Sequence, residues 1–240
     1  MKNLFYSRLI GLSALAMLLL QGFAFQSWGD ELSANDVLIN LQKTFAEIED
    51  YTVLLQVKTD IQQIRVPQRD VKVFFKQPDK LHLQSKGFAM LPKEGMFINP
   101  NQFNREDYYM SLLGKESLKG RSAYKLELVP RNVKVRVRKL IIWIDTARWV
   151  SLKIDTVTWR GQSIEIQFDY EKFQDKYWLP IKATATVDLE GFRGFSSFRG
   201  RHGWEDESET EDSAKPGEII VQFRDYKINE GISDSIFEEE

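Results

Sequence analysis

Val150-Ser151-Leu152-Lys153-Ile154 and Ile164-Glu165-Ile166-Gln167-Phe168 carry the fold of this chain. In each run large apolar side chains recur at every second residue, with Lys153, Glu165 and Gln167 between them. A period of two places one set on a buried face and the other toward solvent, as in a β-strand packed on one side. Arg160-Gly161 lies between the runs and supplies a turn. The pair therefore reads as two neighbouring antiparallel strands.

The same alternation continues outward in both directions. It runs through Val53, Leu55 and Val57, then Val71, Val73 and Phe75, then Leu81 and Leu83. It returns at Val133, Val135 and Val137, at Ile181, Ala183, Ala185 and Val187, and at Ile219, Val221 and Phe223. Leu140-Ile141-Ile142-Trp143-Ile144 is apolar on both faces. Turn residues separate the runs at Gln77-Pro78-Asp79, Asn99-Pro100-Asn101, Gly114, Lys119-Gly120 and Gln174-Asp175. Many short strands with one apolar face predict a large antiparallel meander. The fold class is mainly β (α+β): a strongly curved antiparallel sheet or open barrel, with helices packed against its apolar face.

One helix is expected ahead of the strands. Val37, Leu38, Leu41, Phe45 and Ile48 fall on one face at steps of three and four, and Ser33 or Asp36 can cap its start. Glu47, Glu49 and Asp50 crowd its end, where negative charge is unfavourable. A mixed segment near Phe88–Glu106 can also cover the sheet. A long sheet with one clear amphipathic helix has more apolar face than that helix covers. Periodicity leaves two outcomes open: both faces pack solidly, or a cavity remains for a ligand.

The first residues read as an address. Lys2 and Arg8 are the only charges before Asp30, and Leu9 to Phe25 is almost wholly apolar. Ser27 and Gly29 bracket Trp28 at a small-x-small cleavage site. Residues 1–29 thus form a signal peptide, cleaved near Gly29. Residues 30–240 are expected to form a single soluble domain exported to the periplasm of a Gram-negative bacterium. The chain has no cysteine, which excludes disulfides, thiolate metal sites, thiol nucleophiles and a lipid-attachment cysteine. A net charge of −2 gives no field for nucleic acid.

Gly191 to Gly217 departs from the strand pattern. Its first half is rich in glycine, arginine and phenylalanine, and Glu205 to Asp212 is strongly acidic. This composition does not support local packing, so 191–217 reads as a flexible insertion between two late strands. The chain offers no catalytic constellation. His82 and His202 are the only histidines, no H-E-x-x-H or G-x-S-x-G occurs, and the carboxylates are scattered. No enzyme activity, metal or cofactor is expected.

Three segments resemble the LolA-like superfamily of periplasmic lipoprotein-sorting proteins. The first is Val71-Lys72-Val73-Phe74-Phe75-Lys76-Gln77-Pro78-Asp79-Lys80-Leu81, similar to the family's strand, basic-Pro turn and next strand. The second runs from Gly120-Arg121-Ser122-Ala123-Tyr124-Lys125-Leu126-Glu127-Leu128-Val129-Pro130 to Leu140-Ile141-Ile142-Trp143-Ile144-Asp145. The third is the ending Tyr226-Lys227-Ile228-Asn229-Glu230-Gly231-Ile232-Ser233-Asp234-Ser235-Ile236-Phe237. With the first helix they span most of residues 34–237.

The resemblance implies an eleven-strand half-barrel, with helices as a lid over a concave apolar face that holds acyl chains. The groove candidates are Val73, Phe75, Leu81, Leu83, Ile142, Ile144, Leu152, Ile154, Ile166 and Phe168. In such carriers a basic residue before the turn proline helps latch the lid; here the lid-latch position is Gln77, with Lys76 beside it. The implied function is a monomeric carrier of lipid or lipoprotein acyl chains toward the outer membrane. Its implied partners are an inner-membrane transporter or exporter complex and an outer-membrane acceptor, with only transient membrane contact. The same fold also serves envelope-stress sensors, and it suits an accessory subunit of an inner-membrane lipid exporter.

Overall fold

A computed structural model describes residues 32–60, 67–85, 99–132, 137–159, 161, 163–187 and 217–238. Within Ser33–Glu240 the elements are α1 (Ala34–Ala46), β1 (Asp50–Asp60), β2 (Arg69–Lys76), β3 (Lys80–Ser85), β4 (Tyr108–Leu118) and β5 (Arg121–Pro130). Then follow β6 (Val137–Asp145), β7 (Ser151–Thr158), β8 (Ser163–Phe173), β9 (Tyr177–Val187) and β10 (Gly217–Ile228). The described residues also include two 3-10 turns, Pro100–Gln102 and Asp234–Phe237.

All ten strands form one antiparallel sheet in the order β3-β2-β1-β10-β9-β8-β7-β6-β5-β4. The order is a meander broken once, where β10 inserts between β1 and β9. The sheet does not close, so β3 and β4 are its two edges. The described residues thus contain ten strands rather than eleven, and one α-helix rather than several.

Cross-strand register fixes which residues share a face, because directly paired residues point the same way. Ile154 pairs with Ile142 on one side and Ile166 on the other, and Ile166 pairs with Ala185. Ala185 pairs with Ile219. Val57 pairs with Val221, and Val53 with Val73. These side chains form one continuous buried apolar face. Fully burying each large aliphatic contributes roughly 1.5–3 kcal/mol.

The other face is polar and charged. Trp143 lies there, which resolves the doubly apolar run of β6. Its indole N–H donates to Glu116 Oε2 at 2.8 Å, and Lys125 and Lys153 sit over its ring at 5.1 and 4.5 Å. The hydrogen bonds from Lys125 and Trp143 hold the Glu116 carboxyl below its ordinary range.

Several sequence expectations need correction. Gly114 is not a turn between strands. It lies inside β4 with φ +117, beside a bulge at Leu113. Ile48 is not on the helix, which ends at Ala46; it is buried beyond it with Leu179 and Ile228. Asn99-Pro100-Asn101 opens a 3-10 turn. Gly217 opens β10 and so is not part of an insertion. Residues 1–29, 88–98, 133–136 and 191–216 lie outside the described residues. Lys119-Gly120 is a hairpin turn with both φ positive, as a right-twisted two-residue connection requires.

The helix start and end both have local causes. Ser33 Oγ accepts the N–H of Asp36, and the Asp36 carboxylate accepts the N–H of Ser33, a reciprocal cap. The acidic end is offset from outside the helix. Lys176 pairs with Glu47 at 3.0 Å, and the Asp50 carboxylate, already in β1, accepts the N–H of Gly231. Among the described residues, no helix is long and apolar enough to cross a membrane.

Candidate functional site

A cavity of about 80 Å³ lies between α1 and the apolar face of the sheet. α1 contributes Leu41, Thr44 and Phe45, which share one side of the helix at steps of three and four. The sheet contributes Tyr51 from β1, Ile154 and Ser151 from β7, and Phe168 and Tyr170 from β8. Trp178, Leu179 and Pro180 come from β9, and Phe223 and Tyr226 from β10. Pro100, Trp149 and Val150 complete the wall. None of the described lining residues is ionic.

Bulges decide which side chains reach this space. In β7, Trp143 pairs with Lys153 but Ile144 pairs with Ser151, so Leu152 is the extra residue. The bulge turns Ser151 into the cavity and sends Leu152 to a cluster with Ala123, Trp143 and Val150. In β10, Leu54 pairs with Arg224 and Thr52 with Lys227, and Asp225 stands at φ +55. Tyr226 therefore returns to the same wall as Phe223, and their rings lie parallel.

Trp149 is held by an unusual turn. It has φ +53, a region that bulky residues avoid. The buried Asp145 carboxylate builds the turn, accepting the N–H groups of Ala147 at 2.8 Å and Arg148 at 3.0 Å. The Asp145 backbone N–H donates to Val150 O and its carbonyl accepts from Trp149, while Arg121 approaches the carboxylate at 3.4 Å. Trp149 then stacks on Tyr124 at 5.5 Å. The aspartate that ends the Leu140–Asp145 segment thus places an aromatic wall.

Three tyrosines bring polarity into the cavity. Burial raises the ionisation of Tyr51 and Tyr170 far above the ordinary tyrosine range, with Tyr51 reinforcing the shift at Tyr170. Tyr226 is shifted the same way by burial and its two tyrosine neighbours, and its hydroxyl donates to Pro180 O at 2.9 Å. All three remain protonated donors across the biological pH range.

Of the ten groove candidates, Ile154 and Phe168 line the cavity. Phe75 stands directly behind its wall, stacked on Tyr51 at 5.0 Å and edge-on to Phe45 at 5.3 Å. Val73, Ile142, Ile144 and Ile166 share the apolar face and are buried, but do not line the cavity. Leu83 is half-buried on β3, and Leu81 is 41% exposed at that edge. Leu152 is diverted by the bulge.

The aromatic wall was missed in the sequence because it follows bulges and turns, which break a period of two. The readable signal was the density of aromatics at 168–178 and 223–226.

Gln77 contacts the end of α1. Its Nε2 donates to Ile48 O at 2.9 Å and reaches Phe45 O and Ala46 O at 3.4 and 3.3 Å. Its Oε1 accepts from Asn101 at 3.2 Å, and its backbone N–H donates to Glu49 O at 2.8 Å. The residue ties the β2–β3 turn, the helix end and the Pro100 turn together.

No curated protein matches this chain. A family model described as an uncharacterized protein matches residues 98–191. Among solved structures, a domain described as an outer membrane lipoprotein-sorting protein, from Vibrio parahaemolyticus, aligns with a TM-score of 0.60 at 15% identity. It covers 85% of this chain and 97% of that one. A DUF1329 family protein from Desulfovibrio piger aligns with a TM-score of 0.59 at 14% identity, covering 85% and 95%. A LolA superfamily protein from Nitrosomonas europaea aligns with a TM-score of 0.57 at 12% identity, covering 86% and 98%. With its open ten-stranded antiparallel sheet and one helix across the apolar face, the chain has the fold of the LolA superfamily.

Proposed function

We propose that this protein is a periplasmic carrier that shelters lipid or lipoprotein acyl chains between α1 and the sheet. The observation that supports it is the cavity, walled by aromatic and aliphatic side chains with no ionic group among the described lining residues. Each CH₂ moved from water to such a wall contributes about 0.8 kcal/mol, enough to draw a chain segment from solution. The apolar start of the chain with its Ser27-Trp28-Gly29 site supports export. The description of the Vibrio structure as an outer membrane lipoprotein-sorting domain supports this reading. The same fold would equally suit an envelope sensor or an exporter subunit. In those cases a stable protein partner would accompany it through purification.

The test is to purify the protein from its own periplasm and identify bound lipids by mass spectrometry. Stoichiometric acyl species, displaced by a fluorescent acyl probe, are the expected result. Lipid-free protein with no probe affinity would overturn the carrier.

A further inference from the structure

The cavity is apolar but not featureless. Tyr51 and Tyr170 line it, and neither hydroxyl has a hydrogen-bond partner among the described residues. The third tyrosine is different, because Tyr226 has already committed its proton to Pro180 O. Tyr51 and Tyr170 face the cavity, and an acceptor brought by a ligand there would complete the hydrogen bonding of their hydroxyls in an otherwise apolar wall.

The charge inventory narrows which acceptor fits. No Lys, Arg or His is among the described lining residues. A carboxylate or phosphate entering here would lose its hydration without meeting a counter-ion. Two neutral hydrogen bonds do not offset the desolvation of an unpaired charge. An ester carbonyl loses far less water and accepts the same two protons.

We propose that the cavity binds the uncharged ester end of an acyl lipid, with Tyr51 and Tyr170 donating to its oxygens, and rejects the free carboxylate. This rests on the acyl-binding reading above and adds to it a selection between lipid classes. The protein would then discriminate against free fatty acids, and its tyrosines would act as the recognition element within an otherwise apolar wall.

The experiment uses the full chain loaded with an uncharged pyrene-labelled lauryl ester. Methyl laurate, laurate and dodecane compete for it at about pH 8, where a fatty carboxyl is ionised. Methyl laurate is expected to compete at least about tenfold more effectively than laurate. In a Tyr51→Phe/Tyr170→Phe variant, methyl laurate is expected to lose about fivefold per hydroxyl while dodecane is unchanged. Equal competition by laurate and methyl laurate in the unaltered protein overturns the selection, whatever the variant does. Unchanged methyl laurate affinity in the variant overturns the role of the tyrosines. Failure of the pyrene ester and all three competitors to bind would overturn the acyl-binding reading itself.

Discussion

Asn229 Oδ1 accepts the backbone N–H of Glu49 at 2.8 Å, joining two residues 180 positions apart in the chain. The same oxygen takes the N–H of Asp50, and Asn229 Nδ2 donates to Glu47 O at 2.9 Å and to Tyr177 Oη at 3.2 Å. The Asn229 backbone N–H donates to Asp50 O. One side chain therefore fastens the end of β10 to the segment leaving α1 and to the start of β9. Asn229 has φ +57, a conformation asparagine tolerates better than most residues.

Asn229→Ala removes four side-chain hydrogen bonds and adds a strained φ. It is expected to lower unfolding free energy by about 2–3 kcal/mol. Asn229→Gly removes the same bonds but relieves the backbone, so it should recover about 1 kcal/mol of that loss. Urea denaturation of both variants checks the order. An alanine variant as stable as the glycine variant would remove the backbone from the account.

This knot also gives a physical reason for the ending segment through Asn229-Glu230-Gly231 to Phe237. Asn229 caps the crossing, Gly231 donates its N–H to the Asp50 carboxylate at φ +82, and Asp234 pairs with Lys76 at 2.8 Å and Lys80 at 3.1 Å. The sequence showed the strands where alternation was unbroken, as in Val53–Val57 and Ile164–Phe168. It could not show the cavity wall. One inserted residue at Leu152 or Asp225 moves every later side chain to the other face, and nothing in local composition marks such a bulge. Gly114 looked like a turn for the related reason that glycine serves a bulge as readily as a turn.

Asp155 on the outer face gives a pH prediction. Burial and the neighbouring Glu165 raise its carboxyl above the ordinary range, and Lys153 only partly offsets this. Lys153 is 2.5 Å from Glu165 but 3.5 Å from Asp155, and Asp155 Oδ1 has no hydrogen-bond partner among the described residues. A raised folded-state carboxyl means that the folded protein binds its proton more readily than the unfolded chain. Ionised Asp155 is then a liability at neutral pH that fades as pH falls through its raised pKa. Asp155→Asn should raise stability at pH 7 by less than about 1 kcal/mol, and the gain should shrink on acidification. A gain that grows toward acid would contradict the assignment. Glu165 has the opposite sign. Burial opposes its ionisation, but the hydrogen bonds from Lys153 and Gln167 and the charges of Lys153 and Lys119 together outweigh it and lower its pKa. Its contribution is present above the ordinary carboxylate range and is lost as pH falls through its lowered value.

Ser151 offers a way to separate packing from binding. It lines the cavity only because of the Leu152 bulge. Ser151→Leu should extend an apolar side chain into the empty space. Filling a void gains contacts, so stability is expected to hold within about 1 kcal/mol of the parent or to rise. Affinity for the pyrene ester should fall at least about tenfold, because the ligand's volume is occupied. Thermal denaturation and probe titration are read on the same preparation. Full probe affinity in a stable Ser151→Leu variant would place the ligand elsewhere.

Gln77 is the residue on which helix anchoring turns. At the C-terminal end of α1 the carbonyls carry partial negative charge, and Gln77 Nε2 reaches Phe45 O and Ala46 O there while donating to Ile48 O just beyond. Gln77→Ala leaves those carbonyls to water and frees Asn101, for an expected loss of about 1–2 kcal/mol. Gln77→Glu keeps the size but replaces the donor with a carboxylate facing the negative end of the helix. It should be less stable than the alanine variant at neutral pH, with the gap narrowing in high salt and below the glutamate pKa. Gln77→Arg restores a donor and adds a cation where the helix favours one, so it should match or exceed the parent. Amide exchange over Phe45–Ile48 should quicken in the alanine and glutamate variants, while exchange in β7 and β8 should not. If exchange rises equally in those central strands, the side chain supports the whole sheet, and a local hold on the helix is excluded.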